Sequence, residues 1–168
     1  GLGNQFLANI REAGAICVVT RAFSDPDIVH VEGRVDPKGD IETVTTELIL
    51  ADMQTLEKQV PRLVKEVTGK KTPKDVLETA QAALTLLEKG RVLSSGGADL
   101  DPAVLKSFGL MTTKPFIYAF NTDDAGLADE AMQAELRDFV APAEAIFLDA
   151  KFEAELVELE PEEAREML

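Results

Sequence analysis

Pro115-Phe-Ile-Tyr-Ala-Phe-Asn121-Thr122-Asp123-Asp124 reads as a short apolar strand that ends at Asn121 and opens into a polar loop. Ala145-Ile-Phe-Leu148, followed by Asp149-Ala150-Lys151, has the same form, and a helix is expected between the two strands near 127–140. Upstream, residues 13–23 contain Ala15-Ile-Cys-Val-Val-Thr-Arg-Ala-Phe23, a continuous β-branched run. Such a run suits a strand buried on both faces, as in parallel sheets, and places Cys17 in the core. Before it, Phe6, Leu7 and Ile10 share one face of a short helix over 4–12. Strands alternating with helices define an α/β chain, part of a doubly wound, mostly parallel sheet.

Between the first and second strands the hydrophobic period changes. Ile49, Met53, Leu56, Val60, Leu63 and Val67 step by four and three, a heptad stripe over about 41–67 with Asp40 as the expected N-cap. Pro61 lies inside the stripe and is expected to bend the helix. Gly69-Lys70-Lys71-Thr72-Pro73 is a turn, with Thr72 and Pro73 read as N-cap and first residue of a return helix over about 74–89. That helix carries its own stripe, Val76, Ala80, Ala83 and Leu87, so the two form an inserted antiparallel helical hairpin. Ser94 to Gly97 reads as a loop, and Pro102–Leu110 as a short helix capped by Asp101.

The chain has 168 residues, 45% of them hydrophobic, and a formal charge of −14. That is enough apolar material for a core and too acidic for a surface that binds nucleic acid all over, so DNA is not expected as a partner. Cys17 is the single cysteine, which excludes an internal disulfide and a cysteine-based zinc site. No apolar run reaches the roughly 20 residues of a membrane span, and the first residues lack a signal-peptide pattern. A cytoplasmic setting fits best. The chain opens at Gly1 rather than Met and already reads as domain interior, so it is expected to be part of a longer protein.

In an open parallel sheet, ligands bind beyond the carboxyl ends of the strands, where the loops starting at Asn121 and Asp149 lie. Asn121 and Asp124 have the spacing Asn-x-x-Asp. An Asn amide can meet a purine ring edge with both its donor and its acceptor, and a carboxylate three residues on can accept from guanine N1–H and its amino group. Ala150 and Lys151 belong to a loop similar to the Ser-Ala-Lys segment that brings a backbone N–H to a base. His30, near Asp25 and Asp27, reads as a solvated turn, and the acidic stretch from Glu153 to Glu166 as a solvated helix face. No residues are assigned to a metal site. One local exception to the acidity stands out. From residue 58 to residue 74, Lys58, Arg62, Lys65, Lys70, Lys71 and Lys74 face only Glu66, a net +5 in seventeen residues around the hairpin turn. Such a tip is either a solvated surface or a docking point for RNA phosphates.

These residues resemble the YchF-type Obg-like ATPases, a family of P-loop nucleotide-binding proteins related to the Obg GTPases. The resemblance runs through residues 1–12, through His30-Val-Glu-Gly-Arg-Val-Asp-Pro37, and through Asp40-Ile-Glu42 to Thr46-Glu-Leu-Ile-Leu-Ala-Asp52. It continues in Lys114-Pro115, Tyr118 and Asn121, and in Glu153-Ala-Glu-Leu156 with Glu158-Leu159. It implies a P-loop NTPase-like fold in which residues 1–39 and 111–168 are two parts of a nucleotide-binding domain and 40–110 a coiled-coil insert. It also implies a ribosome-associated, cytoplasmic nucleoside triphosphatase that prefers ATP to GTP, uses Mg2+, and reaches the large ribosomal subunit through its helical insert. By resemblance Asn121 is the Asn of the base motif, and Thr122 the position whose backbone contacts adenine.

Asp124 stands where the family usually has Glu. The shorter side chain restores the spacing of guanine-specific GTPases, although Thr122 replaces their Lys, so ATP and GTP both stay open. The 168 residues contain no Gly-x-x-x-x-Gly-Lys-Ser/Thr loop, and Gly69-Lys70-Lys71-Thr72 is a hairpin turn rather than a phosphate loop. Base recognition without hydrolysis is therefore expected of this chain alone, with Mg2+ entering only in the intact protein and no catalytic residue assigned. The other reading is a nucleotide-independent interaction module whose basic hairpin tip binds the ribosome, RNA or a protein partner.

Overall fold

The computed structural model describes residues 3–22 and 35–151. His30 with its neighbouring Asp25 and Asp27, and the acidic stretch from Glu153 to Glu166, lie outside them. Among the described residues no helix is long and apolar enough to cross a membrane. The elements are α1 (Asn4–Glu12), β1 (Ile16–Arg21), α2 (Pro37–Thr68), α3 (Lys74–Glu88), α4 (Leu93–Gly96), α5 (Pro102–Ser107), β2 (Phe116–Asn121), α6 (Asp124–Ala128), α7 (Glu130–Val140) and β3 (Glu144–Leu148). They fall into two compact units, Gly1–Ile16 with Glu42–Phe116, and Cys17–Ile41 with Ile117–Leu168.

In the first unit the heptad stripes of α2 and α3 meet. Ile49, Leu56 and Leu63 of α2 are buried in one cluster with Ala80, Ala83 and Leu87 of α3, and with Leu93, Leu105, Phe108 and Leu110. Ala80 and Ala83 are fully buried, and their small size lets the facing helix approach closely. The turn between the helices closes through Lys71 N–H to Glu66 O (2.8 Å) and Lys70 N–H to Val67 O (3.0 Å). Lys70 takes the left-handed conformation there, at φ 54°. The Thr72 hydroxyl is drawn to the Glu66 carboxylate at 2.9 Å and does not cap α3 as expected. Pro73, in extended conformation, is the N-cap residue, and α3 begins at Lys74.

Other element boundaries differ from expectation for local reasons. α2 starts at Pro37 rather than after Asp40, because Asp36 Oδ1 accepts from Gly39 N–H at 3.1 Å and Pro37 suits a first helical position. Asp40 instead accepts a hydrogen bond from the Thr20 hydroxyl at 3.1 Å. α2 also runs through Pro61 without a break. Asp101 caps α5 through Ala103 N–H (2.9 Å) as expected, but the helix stops at Ser107, and Gly109 follows at φ 67°. Residues 93–96 form a short helix rather than a loop.

The sheet has the order β1-β2-β3. β2 and β3 are parallel, with Ile117 opposite Glu144, Ala119 opposite Ile146 and Asn121 opposite Leu148. Phe120 and Phe147 are neighbours in this register, and their rings stack with centroids 5.0 Å apart. The Arg137 guanidinium of α7 lies 4.9 Å from the Phe147 ring centre and donates to Ala145 O at 3.1 Å. The ladder between β1 and β2 runs from Ile16 N–H to Pro115 O (2.9 Å) and from Ala22 N–H to Asn121 O (2.8 Å). β1 is not buried on both faces: Ile16, Val18 and Thr20 are buried, whereas Cys17 is exposed and Val19 is 70% exposed. The described residues cover only one face of this strand, so burial alternates along Ile-Cys-Val-Val-Thr-Arg and Cys17 lies on the exposed face rather than in the core.

Two polar clamps organise the approach to β2 within the first unit. The Lys114 ammonium donates to Arg11 O (2.9 Å) and Ala13 O, satisfying carbonyls at the end of α1. Asp52 of α2 is 1% exposed, and its carboxylate accepts from Met111 N–H (2.9 Å) and Thr112 N–H (2.8 Å). Burial raises the Asp52 pKa above its ordinary value, against the lowering effect of those hydrogen bonds and of Arg11. Asp52→Ala orphans two buried donors and is expected to cost about 2–5 kcal/mol in urea unfolding. Because the raised pKa means that the folded state holds this proton more tightly than the unfolded state, stability from Asp52 falls as pH rises from 3.8 through the folded-state value. Across that window the stability advantage of wild type over Asp52→Asn should shrink with rising pH. An advantage that grows with pH would contradict the burial argument.

Candidate functional site

The parallel register ends β2 at Asn121 and β3 at Leu148, side by side. Thr122 N–H continues the ladder to Leu148 O at 2.8 Å, so the two following loops leave together from the carboxyl ends of the strands. There Asn121 Oδ1 accepts from Ala150 N–H at 3.0 Å. The structure thus brings together Asn121, Thr122 and Ala150 from two separate loops. It also alters what each offers. The Asn121 carbonyl oxygen and the Ala150 N–H, both expected to face a base, are bonded to each other. What remains on Asn121 is its amide NH2, a donor of two hydrogens. Likewise the Thr122 N–H is occupied in the ladder rather than directed to a base.

Asp124 is the first residue of α6 and is exposed. The helix expected over 127–140 is divided into α6 and α7 because two aspartates each start a helix. Asp123 Oδ1 accepts from Gly126 N–H (2.9 Å), and Asp129 Oδ1 from Met132 N–H (3.0 Å). Gln133 of α7 holds the far end of α6, its Nε2 donating to Gly126 O (3.1 Å) and Leu127 O (2.9 Å). Sequence reasoning did not single out Asp123, Gly126 or Gln133. Only the Asp123 cap had a readable signal, an Asp just before a helical run. Lys151 is exposed at the end of the described residues. Among the described residues no group of three or more His, Cys, Asp or Glu side chains could hold a metal ion.

The second candidate surface is the hairpin tip. Lys58, Arg62, Lys65, Lys70, Lys71 and Lys74 are all exposed. Lys58, Arg62 and Lys65 share a face of α2 through their spacing of four and three. Arg62 approaches Glu66 at 3.7 Å and Lys74 approaches Glu78 at 3.1 Å. Exposed pairs of this kind add little stability and leave most of the positive field intact. The closing turn sets Lys70 and Lys71 at the extreme end of the hairpin, beyond the last turn of α2.

No protein-family model matches the chain. Among curated proteins, the ribosome-binding ATPase YchF of Haemophilus influenzae is 39% identical over 172 residues, covering 100% of this chain and 47% of that protein. The ribosome-binding ATPase YchF of Bacillus subtilis is 40% identical over 177 residues, covering 100% of this chain and 48% of that protein. Among solved structures, that of the Schizosaccharomyces pombe YchF GTPase superposes with a TM-score of 0.81 at 28% identity, covering 99% of this chain and 48% of that one. The chain spans about half the length of the curated relatives it matches.

Proposed function

We propose, for a chain that belongs to the YchF-type Obg-like ATPase family, that it supplies the base-recognising edge of a purine nucleotide site and a basic helical tip that docks on the ribosome. The observation that carries the first part is the Asn121–Ala150 hydrogen bond. It engages the Asn121 carbonyl oxygen and leaves the amide NH2 as the donor this side chain can offer a ligand. Purine N7, present in both adenine and guanine, is the acceptor that such a donor reads. The Asp124 carboxylate is then the group that senses the exocyclic and N1 positions, where the two bases differ. On this reading Thr122, next to Asn121, and Lys151, next to Ala150, complete the site.

The ligand of the intact protein on this reading is ATP or GTP with Mg2+. The chain's residues fit the base and not the rest. Phosphates and magnesium are held in such proteins by a Gly-x-x-x-x-Gly-Lys-Ser/Thr loop, which does not occur among these 168 residues. No hydrolytic step is therefore assigned to them. Asn121→Ala removes the donor and at the same time releases Ala150 N–H. Binding of adenosine and guanosine to the chain, followed by amide NMR shifts, is expected to weaken about tenfold or more for both. Unchanged affinity for both nucleosides would refute the assignment.

The tip supports a second role, ribosome contact through the large subunit. Its six exposed cations are concentrated at one end of a helical hairpin in a chain of net charge −14. Attraction to RNA phosphate is the interaction this arrangement favours. Reversal of Lys70, Lys71 and Lys74 to Glu is expected to abolish co-sedimentation with ribosomes and to flatten the salt dependence of any residual binding. Equal sedimentation of wild type and variant across the salt range would contradict docking by the tip.

A further inference from the structure

α6 approaches the end of β2 more closely than any side chain at residue 126 allows. A Cβ built on Gly126 would lie 1.8 Å from Thr122 Oγ1, 3.0 Å from Thr122 Cβ and 3.4 Å from Asp123 Oδ1. Thr122 cannot easily give way, since it is 1% exposed and its backbone is bonded to Leu148 O. Its hydroxyl has no hydrogen-bond partner among the described residues, so a polar atom is confined in this contact without compensation. Gly126 is held from two further directions, by Asp123 Oδ1 at its N–H and by Gln133 Nε2 at its carbonyl. A side chain at 126 must therefore displace either the turn that carries Asp124 or the residue adjoining Asn121.

We propose that Gly126 is a positioning residue for base recognition, acting through Thr122 to fix the separation between the Asn121 amide and the Asp124 carboxylate. The inference rests on the proposed base site and names what sets its discrimination. Asn121 addresses an acceptor common to both purines, whereas Asp124 addresses the positions that differ. The close packing of α6 on Thr122 thus determines how far the short Asp124 side chain reaches. A larger residue at 126 changes the position of Asp124 relative to Asn121, so it alters selectivity and not merely affinity.

The test compares wild type, Gly126→Ala, Thr122→Ala and the double variant. Adenosine and guanosine are titrated separately, and thermal unfolding and the Ala150 amide resonance are followed in parallel. Gly126→Ala is expected to change the guanosine-to-adenosine affinity ratio by about tenfold and to shift the Ala150 amide. Thr122→Ala opens the space that the new methyl needs. The double variant should bring the ratio back to within about twofold of the Thr122→Ala value, a coupling that independent sites do not show. Loss of affinity for both nucleosides in equal proportion, uncorrected in the double variant, would mean that Gly126 serves folding alone and would overturn the proposal. So would a ratio and an Ala150 resonance both unmoved by Gly126→Ala. If wild type binds neither nucleoside, the base site itself fails. The Ala150 resonance then decides separately whether residue 126 governs the loop.

Discussion

The hydrogen bond between the Asn121 side chain and Ala150 N–H depends on the parallel register of β2 and β3, and the proposed function depends on that bond. Register determines which two loops are neighbours: with Asn121 opposite Leu148, residue 150 falls within reach of the Asn side chain. A slip of one residue would turn every side chain of β3 to the other face and part the Phe120 and Phe147 rings. The Arg137 contact with Phe147 and Ala145 anchors α7 on β3. Geometry at the sheet edge is thus a consequence of packing well inside it.

A different economy governs the helical hairpin. Its buried stripe supplies apolar contact along both helices, while its tip adds cations that contribute nothing to the core. Lys70 even occupies a left-handed position, where glycine is the usual residue.

Much of this was legible in the sequence. The alternation of strands and helices, the two heptad stripes and the two polar loops after apolar strands all have periodicities or punctuation that physical rules translate directly. Four features were not legible, each for a physical reason. The exposure of Cys17 depends on which sheet face is covered, and an apolar run carries no record of that. Asp36 outcompeted Asp40 as a cap because the Pro after it favours a first helical position, a contest between neighbours that a periodicity count misses. The mutual bond between Asn121 and Ala150 joins residues 29 apart in sequence, and it changes the chemistry that each residue offers. The Gly126–Thr122 contact is steric, and steric limits appear only when atoms are placed.

The central claim is that a fixed Asn121 amide donates to purine N7. Replacing N7 with C–H removes that acceptor and leaves the remaining base edge in place. Binding of 7-deazaadenosine and adenosine to the wild-type chain, titrated side by side, tests the claim most directly. The account predicts that the deaza compound binds about tenfold more weakly, the worth of one hydrogen bond to a fixed donor. Equal affinity for the two nucleosides would contradict it.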